Sequence, residues 1–344
     1  MWHHLSQRKR PRRSMKSETS IPVPFISSIA FKRFLKILAK SINLKDIHAV
    51  TNVVKSLGIF RKHFTLKDAE ELISLLPLDG QPPQTVPQEI ETKYKITMHR
   101  LNDLSKMPEI QAVLHLIYIM KLVDEKHLEA TLEHTTKLME RVKDINRRTL
   151  DPINSRVYYF HALACELNNK LQHHRGVFFA AYRVACLRLD QLTQATILNV
   201  LLRSYINMND YKSARNLVAK TVFPESVPNS QLSRHLYYNG RIRAVQLEYS
   251  EAERKLSQAL SKAPQKSAKG FRLEVTKLQI IVQLLTGAIP ERAVFSQPDL
   301  QKELYPYLLI TQSVRAGNLK LFGEVLDKYS SLFITDRNYS LIQR

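Results

Sequence analysis

Residues Leu232–Pro264, LSRHLYYNGRIRAVQLEYSEAERKLSQALSKAP, constrain the fold more tightly than any other stretch of the chain. Gly240 stands in the first half of this segment; Ala252 follows twelve positions later, Leu256 four after that, Ala259 three more and Pro264 five more. Two helices that cross at close range need small residues where their backbones meet and one large apolar residue beside them to fill the contact. Gly240, Ala252 and Ala259 supply the small positions, and Leu256 supplies the bulk. Pro264 has no amide proton to continue a helix and forces its predecessor out of the helical region. Ser250 and Glu253 carry the S-x-x-E spacing of a capping box, which predicts the start of the second helix. The segment reads as one helical hairpin.

Its neighbours echo it. In ILNVLLRSYINMNDYKSARNLVAKTVFP, Tyr205 fills the aromatic slot of a first helix, and Tyr211 and Ala214 stand 38 residues before Tyr249 and Ala252. A further 38 residues upstream, Gly176 falls on the small-residue slot of a hairpin over Val157–Leu189. Weaker echoes occur at Ala130 and near Leu319–Leu326. Helix breaks recur near Asp151-Pro152, Asn168-Asn169, Asn207–Asp210, Pro224–Asn229, Ala263–Lys269, Gly287–Pro290, Ser296–Pro298 and Ala316–Asn318, with runs of ordinary helix length between them. No run of period-two alternation interrupts this pattern. Glycine is scarce, 8 in 344, which argues against sheets joined by tight turns. The expected fold is all-α: a right-handed solenoid of degenerate hairpins of the tetratricopeptide (TPR) type over residues 105–344. An unrelated helical bundle is the alternative.

The chain carries 52 Lys and Arg against 31 Asp and Glu, a net +21. Residues 1–45 hold 11 basic residues and one acid, Glu18, so nearly half of the excess sits there. Residues 1–20, with Arg8, Lys9, Arg10, Arg12, Arg13 and Lys16 around Pro11, read as a disordered basic tail. It is either a solvated tail, a nuclear-import signal or a contact for nucleic acid. Such a tail predicts weak, sequence-independent nucleic-acid binding. Residues 25–76 form an N-terminal helical segment, in which Phe31, Phe34, Leu35 and Leu38 make one apolar stripe. Docking of that stripe on protein is favoured over a mitochondrial transit peptide or a helix lying on a membrane surface. Pro77, Pro82, Pro83 and Pro87 make residues 77–104 a proline-rich linker and lead-in, and the best domain boundary. No stretch is long and apolar enough to span a membrane. Cys165 and Cys186 belong to no C-x-x-C pair and read as buried thiols of a reduced intracellular protein.

A search for chemistry returns little. The metal-binding H-E-x-x-H is missing, as are both glycine-rich phosphate loops and the G-x-S-x-G nucleophile turn. His173 and His174, beside Arg175, are expected at a solvated turn. Carboxylates such as Glu248, Glu251 and Glu253 fall on amphipathic faces. The aromatic clusters Val157–Phe160 and Leu236–Tyr238 fit helix packing better than base stacking. No catalytic residue, cofactor or metal is therefore assigned. The residues singled out are the repeat positions Gly176, Tyr205, Ala214, Gly240, Ala252, Leu256, Ala259 and Pro264.

Five segments together carry a resemblance: NRRTLDPINSRVYYFHALACE, QATILNVLLRSYINMNDYKSARNLVAKTVFPE, LYYNGRIRAVQLEYSEAERKLSQALSKAPQ, GAIPER and YPYLLITQSVRAGNLKLFGEVLDKY. Over residues 105–344, and more weakly over 41–76, the chain resembles the non-ATPase regulatory subunit 3 family, PCI-domain proteins of the 26S proteasome lid. The resemblance implies a non-catalytic scaffold in ubiquitin-dependent protein degradation. Its partners would be other lid subunits, and it would act in cytoplasm and nucleus without a cofactor. It also implies a hairpin stack placed ahead of a winged helix. This sequence stops at Tyr339–Arg344, where the family continues, so the winged helix is expected to be absent. The basic first 20 residues are also unlike the family. A PCI-type adaptor binding RNA, and subunits of the related signalosome and translation initiation factor complexes, remain the alternatives.

Overall fold

The computed structural model describes residues 23–75, 106–265 and 267–344; the basic tail and the proline-rich linker lie outside the described residues. All regular structure among the described residues is helical. The chain divides into two compact units, residues 13–200 and residues 201–344.

The first unit contains α1 (Val23–Asn43), α2 (Ile47–His63), α3 (Leu66–Leu75), α4 (Pro108–Glu125), α5 (Leu128–Lys143), α6 (Asp151–Leu167) and α7 (Arg175–Leu187). It also holds most of α8 (Gln191–Asn207), a helix that contributes residues to both units. The stripe on α1 is buried: Phe31, Phe34, Leu35 and Leu38 enter the core, and the Phe31 ring meets Phe64 edge-on. Protein therefore covers the face that a membrane surface would have taken. Pro108 opens α4, where its missing amide costs nothing. Ile110, Val113, Leu116, Ile117, Met120 and Val123 place α4 at the centre, in contact with α1, α2, α3, α5 and α6.

Residues of α1–α3 and of α4–α6 share this core. Residues on both sides of the proline-rich run thus contribute to one core. The compact units part near residue 200, inside a continuous helix. The buried side chains, not the positions of prolines, decide which helices share a core.

The second unit contains the end of α8, then α9 (Tyr211–Lys220), α10 (Asn229–Val245), α11 (Tyr249–Lys262), α12 (Lys269–Leu285), the short α13 (Arg292–Phe295), α14 (Gln301–Ala316), α15 (Leu319–Lys328), α16 (Ser330–Thr335) and α17 (Tyr339–Ile342). Among the described residues, helices α10 and α11 form the most extensively packed pair, and α11 in turn packs on α12.

One turn recurs in both units. Leu189, Asn209, Leu247 and Gly317 take the left-handed conformation, with φ between 56° and 70°. The next residue sends its N–H back five positions: Asp190 to the Ala185 carbonyl, Asp210 to Tyr205, Glu248 to Arg243 and Asn318 to Ser313, each at 3.0 Å. This Schellman arrangement satisfies carbonyls that the helix end leaves open. In three of the four turns the same residue then caps the following helix. Asp190 Oδ1 accepts from the Thr193 N–H, Asp210 Oδ1 from Ser213 and Asn318 Oδ1 from Leu321, all at 3.1 Å. One residue thus closes a helix with its backbone and opens the next with its side chain.

Candidate functional site

The α10–α11 pair is built on its small residues. A Cβ on Gly240 would lie 2.9 Å from Leu256 Cγ and 3.4 Å from the Ala252 carbonyl oxygen. Ala252, Leu256 and Ala259 are fully buried. Ala263, forced extended by the exposed Pro264, has ψ 142° and ends α11. Ala214 is buried on α9, and Tyr205 is half-buried on α8.

Three readings need correction. The S-x-x-E box does not form: α11 starts at Tyr249 with Glu248 as its cap, so Ser250 lies inside the first turn, two positions past the cap. Glu253 accepts instead from Gln283 Nε2 at 3.0 Å, a bond to α12. Gly176 is exposed, in the first turn of α7, and a Cβ there would meet no atom within 4 Å. The buried residue of that turn is Phe178, two positions on, so the 38-residue register is lost upstream. Likewise Thr131, not Ala130, is the fully buried residue at the start of α5.

A buried polar hub, invisible to motif reading, anchors the turn at residues 336–338. Lys277 Nζ donates to Asp336 Oδ1 at 2.9 Å, and the Tyr307 hydroxyl donates to Asp336 Oδ2 at 2.8 Å. Arg241 Nη2 reaches the Arg337 carbonyl at 2.7 Å, and its Nη1 donates to the Tyr237 hydroxyl at 2.9 Å. Arg337 in turn donates to the Ile206 carbonyl at 3.1 Å and to Asn207 Oδ1 at 2.9 Å, at the end of α8. Glu274 lies 3.6 Å from Lys277 Nζ, so two buried cations, Arg241 and Lys277, face two buried carboxylates. Helices α8, α10, α12 and α14 all bond to the turn between α16 and α17.

Among the described residues, a cleft of about 400 Å³ opens on the surface of each unit. In the second unit, Leu284, Leu285, Val314, Leu319 and Phe322 line an apolar cleft that reaches the last residues of the chain. In the first unit, Tyr158, Val177 and Ala181 share a cleft with Lys143, Arg188, Asp190 and the buried Asn154, whose Oδ1 finds no partner among the described residues. An apolar floor with few polar groups suits the docking of side chains better than bond-making chemistry.

His161, Cys165 and His174 also come together, a grouping that sequence spacing concealed because a turn separates the third member from the other two. His174 is not solvated as expected: its ring packs edge-on against His161, with centroids 5.2 Å apart, while Cys186 is only half-buried. Burial pushes the Cys165 thiol up to about 12, and burial with the neighbouring His174 pushes His161 down to about 4. At neutral pH this is a thiol beside a neutral imidazole. It is not the thiolate–imidazolium pair of a cysteine nucleophile.

Paired helices, small residues at the crossing and clefts on the surface define a TPR-like helical-repeat protein, a class that offers extended surfaces to other proteins. Comparison with known families narrows the class. A family model described as PSMD3-like, N-terminal TPR repeats matches residues 27–311. The chain belongs to this family, that of the 26S proteasome non-ATPase regulatory subunit 3. The Dictyostelium discoideum subunit of that name is 39% identical over 319 residues, 92% of this chain and 61% of its own length. A probable subunit 3 of Anopheles stephensi is 45% identical over 236 residues, 69% of this chain and 47% of its own. The Nicotiana tabacum relative is 34% identical over 345 residues, 96% of this chain and 70% of its own. The match to the Dictyostelium protein thus spans about three-fifths of that relative's length.

Proposed function

We propose that the chain acts as a non-catalytic structural subunit of the 26S proteasome regulatory particle lid, holding other lid subunits during ubiquitin-dependent protein degradation. The family match over residues 27–311 carries this reading. The hairpin stack supports it, because such a surface binds proteins and seldom assembles a catalytic constellation. The relatives are named as non-ATPase regulatory subunits, which fits a role without ATP turnover. The neutral Cys165–His161 pair fits it too. Action in both cytoplasm and nucleus belongs to the same reading, with the basic tail as the import signal. The family match favours this assignment over an RNA adaptor or a subunit of another lid-like complex.

The test is affinity purification of the tagged chain at endogenous level, with mass spectrometry of what accompanies it. Lid subunits should be recovered in comparable amounts, and the purified chain should show no ATPase, peptidase or deubiquitinase turnover. The nucleic-acid reading is tested beside it. RNA binding by the full chain should fade steeply between about 50 and 200 mM salt, as phosphate contacts from a basic tail do. Salt-resistant, sequence-preferring RNA binding with no lid subunit recovered would overturn the proposal.

A further inference from the structure

On α6, His161 and Cys165 stand one helical turn apart, and the turn into α7 returns His174 to their side. One donor atom from each lies within 4.8 Å of the other two. Cys165 Sγ is 3.6 Å from His161 Nε2. A tetrahedral zinc ion, with bonds of about 2.3 Å to sulfur and about 2.0–2.1 Å to nitrogen, sets the same edge at about 3.6 Å. The tautomer is prepared as well. The Thr135 hydroxyl donates its proton to the Leu132 carbonyl at 2.9 Å. Its oxygen, 3.2 Å from His161 Nδ1, therefore accepts from an Nδ1–H. That assignment leaves the Nε2 lone pair on the side of Cys165. It also gives His161 the outer hydrogen bond that metal-bound histidines characteristically make.

We propose that His161, Cys165 and His174 form a zinc site that fastens the turn between α6 and α7. A thiolate with two imidazoles selects zinc over magnesium or calcium, which prefer oxygen ligands. His174 is half-buried in the turn just before α7, and closing the site asks it to move by little more than about 1 Å. On binding, the Cys165 S–H bond breaks, the proton leaves to solvent and the S–Zn bond forms, one proton for each metal. A water molecule completes four-fold coordination. The same 3.6 Å contact also fits a plain S–H···N hydrogen bond, and metal titration separates the two.

The experiment uses the full chain carrying Cys186→Ser, so that Cys165 is the sole thiol, titrated with Co²⁺ as the probe and then with Zn²⁺. A thiolate-to-cobalt charge-transfer band should saturate at one equivalent, vanish on adding Zn²⁺ and be missing from Cys165→Ala. Thr135→Val, which removes the outer hydrogen bond, should weaken Co²⁺ binding by about 10–100-fold. His174→Ala, a change at the surface of the turn, should weaken it at least as much while leaving the helical circular dichroism intact. The result that overturns the site is no thiolate–cobalt band at a tenfold excess of metal. A band of unchanged affinity in both His174→Ala and Thr135→Val would do so too.

Discussion

Gly240 is where a single methyl group meets the least room. The atom nearest to its added Cβ is Leu256 Cγ, on a fully buried side chain that has nowhere to retreat. Gly240→Leu and Ala252→Leu should each destabilise the chain by about 1–3 kcal/mol through overpacking, read as a lower melting temperature. For Gly240→Ala the clash is offset by about 1 kcal/mol of helix propensity, so its loss should be smaller. Gly176→Ala, in open space within a helix, should instead raise the melting temperature. Charge behaves as specifically as volume. Burial, with Asp190 nearby, pushes the Asp151 carboxyl up to about 7. Between about pH 4 and 7 the folded chain holds a proton there that the unfolded chain has lost. Stability from this site therefore falls as pH rises through that window, and the loss is complete above about 7. Partial exposure of the side chain reduces the effect, so Asp151→Asn should stabilise by about 1 kcal/mol near pH 8 and by almost nothing near pH 4. Urea denaturation at the two pH values measures it.

Among the elements, the turns show what was legible and what was not. Breaks at Asn168-Asn169, Asn207–Asp210, Gly287 and Ala316–Asn318 were readable because Asn and Gly tolerate the left-handed conformation and announce it. The turns at Leu189, Leu247, Lys126 and Arg337 use the same geometry with residues that carry no such signal. There the flanking helices impose the conformation at a local cost. Leu247→Gly should then stabilise the chain by about 0.5 kcal/mol, strain relief of about 1–2 kcal/mol being partly cancelled by glycine's freedom in the unfolded state. Gly287→Ala, at φ 83° and with no atom near its Cβ, should destabilise by about 1 kcal/mol from the backbone alone. The small-residue crossing of α10 and α11 was legible because it is local. The hub at residues 336–338 was not, since the bonds that tie it to α8, α10 and α12 span 59 to 131 positions, and only those from Tyr307 are shorter. Asp336→Ala should cost about 3–5 kcal/mol, because it leaves Lys277 buried beside Glu274 alone. The double variant with Lys277→Met should recover part of that loss in a double-mutant cycle.

At the scale of the whole chain, helicity and hairpin pairing followed from periodicity, since each hairpin writes its own apolar stripe. The division near residue 200 did not, because α8 runs through it without a break. The His161–Cys165–His174 grouping escaped for a related reason: helical spacing links the first two, but only the course of the turn returns the third. These helices together present surface rather than chemistry, and the function proposed for them depends on company. The most direct measurement is native gel electrophoresis of a cell extract containing the tagged chain, with the gel stained for proteasome peptidase activity and blotted for the tag. The account predicts that the tag travels with the slow, peptidase-active 26S band and moves to a lid-sized species when the particle is dissociated by salt. A tag found wholly in a monomeric species, while circular dichroism shows the chain folded and helical, would contradict it.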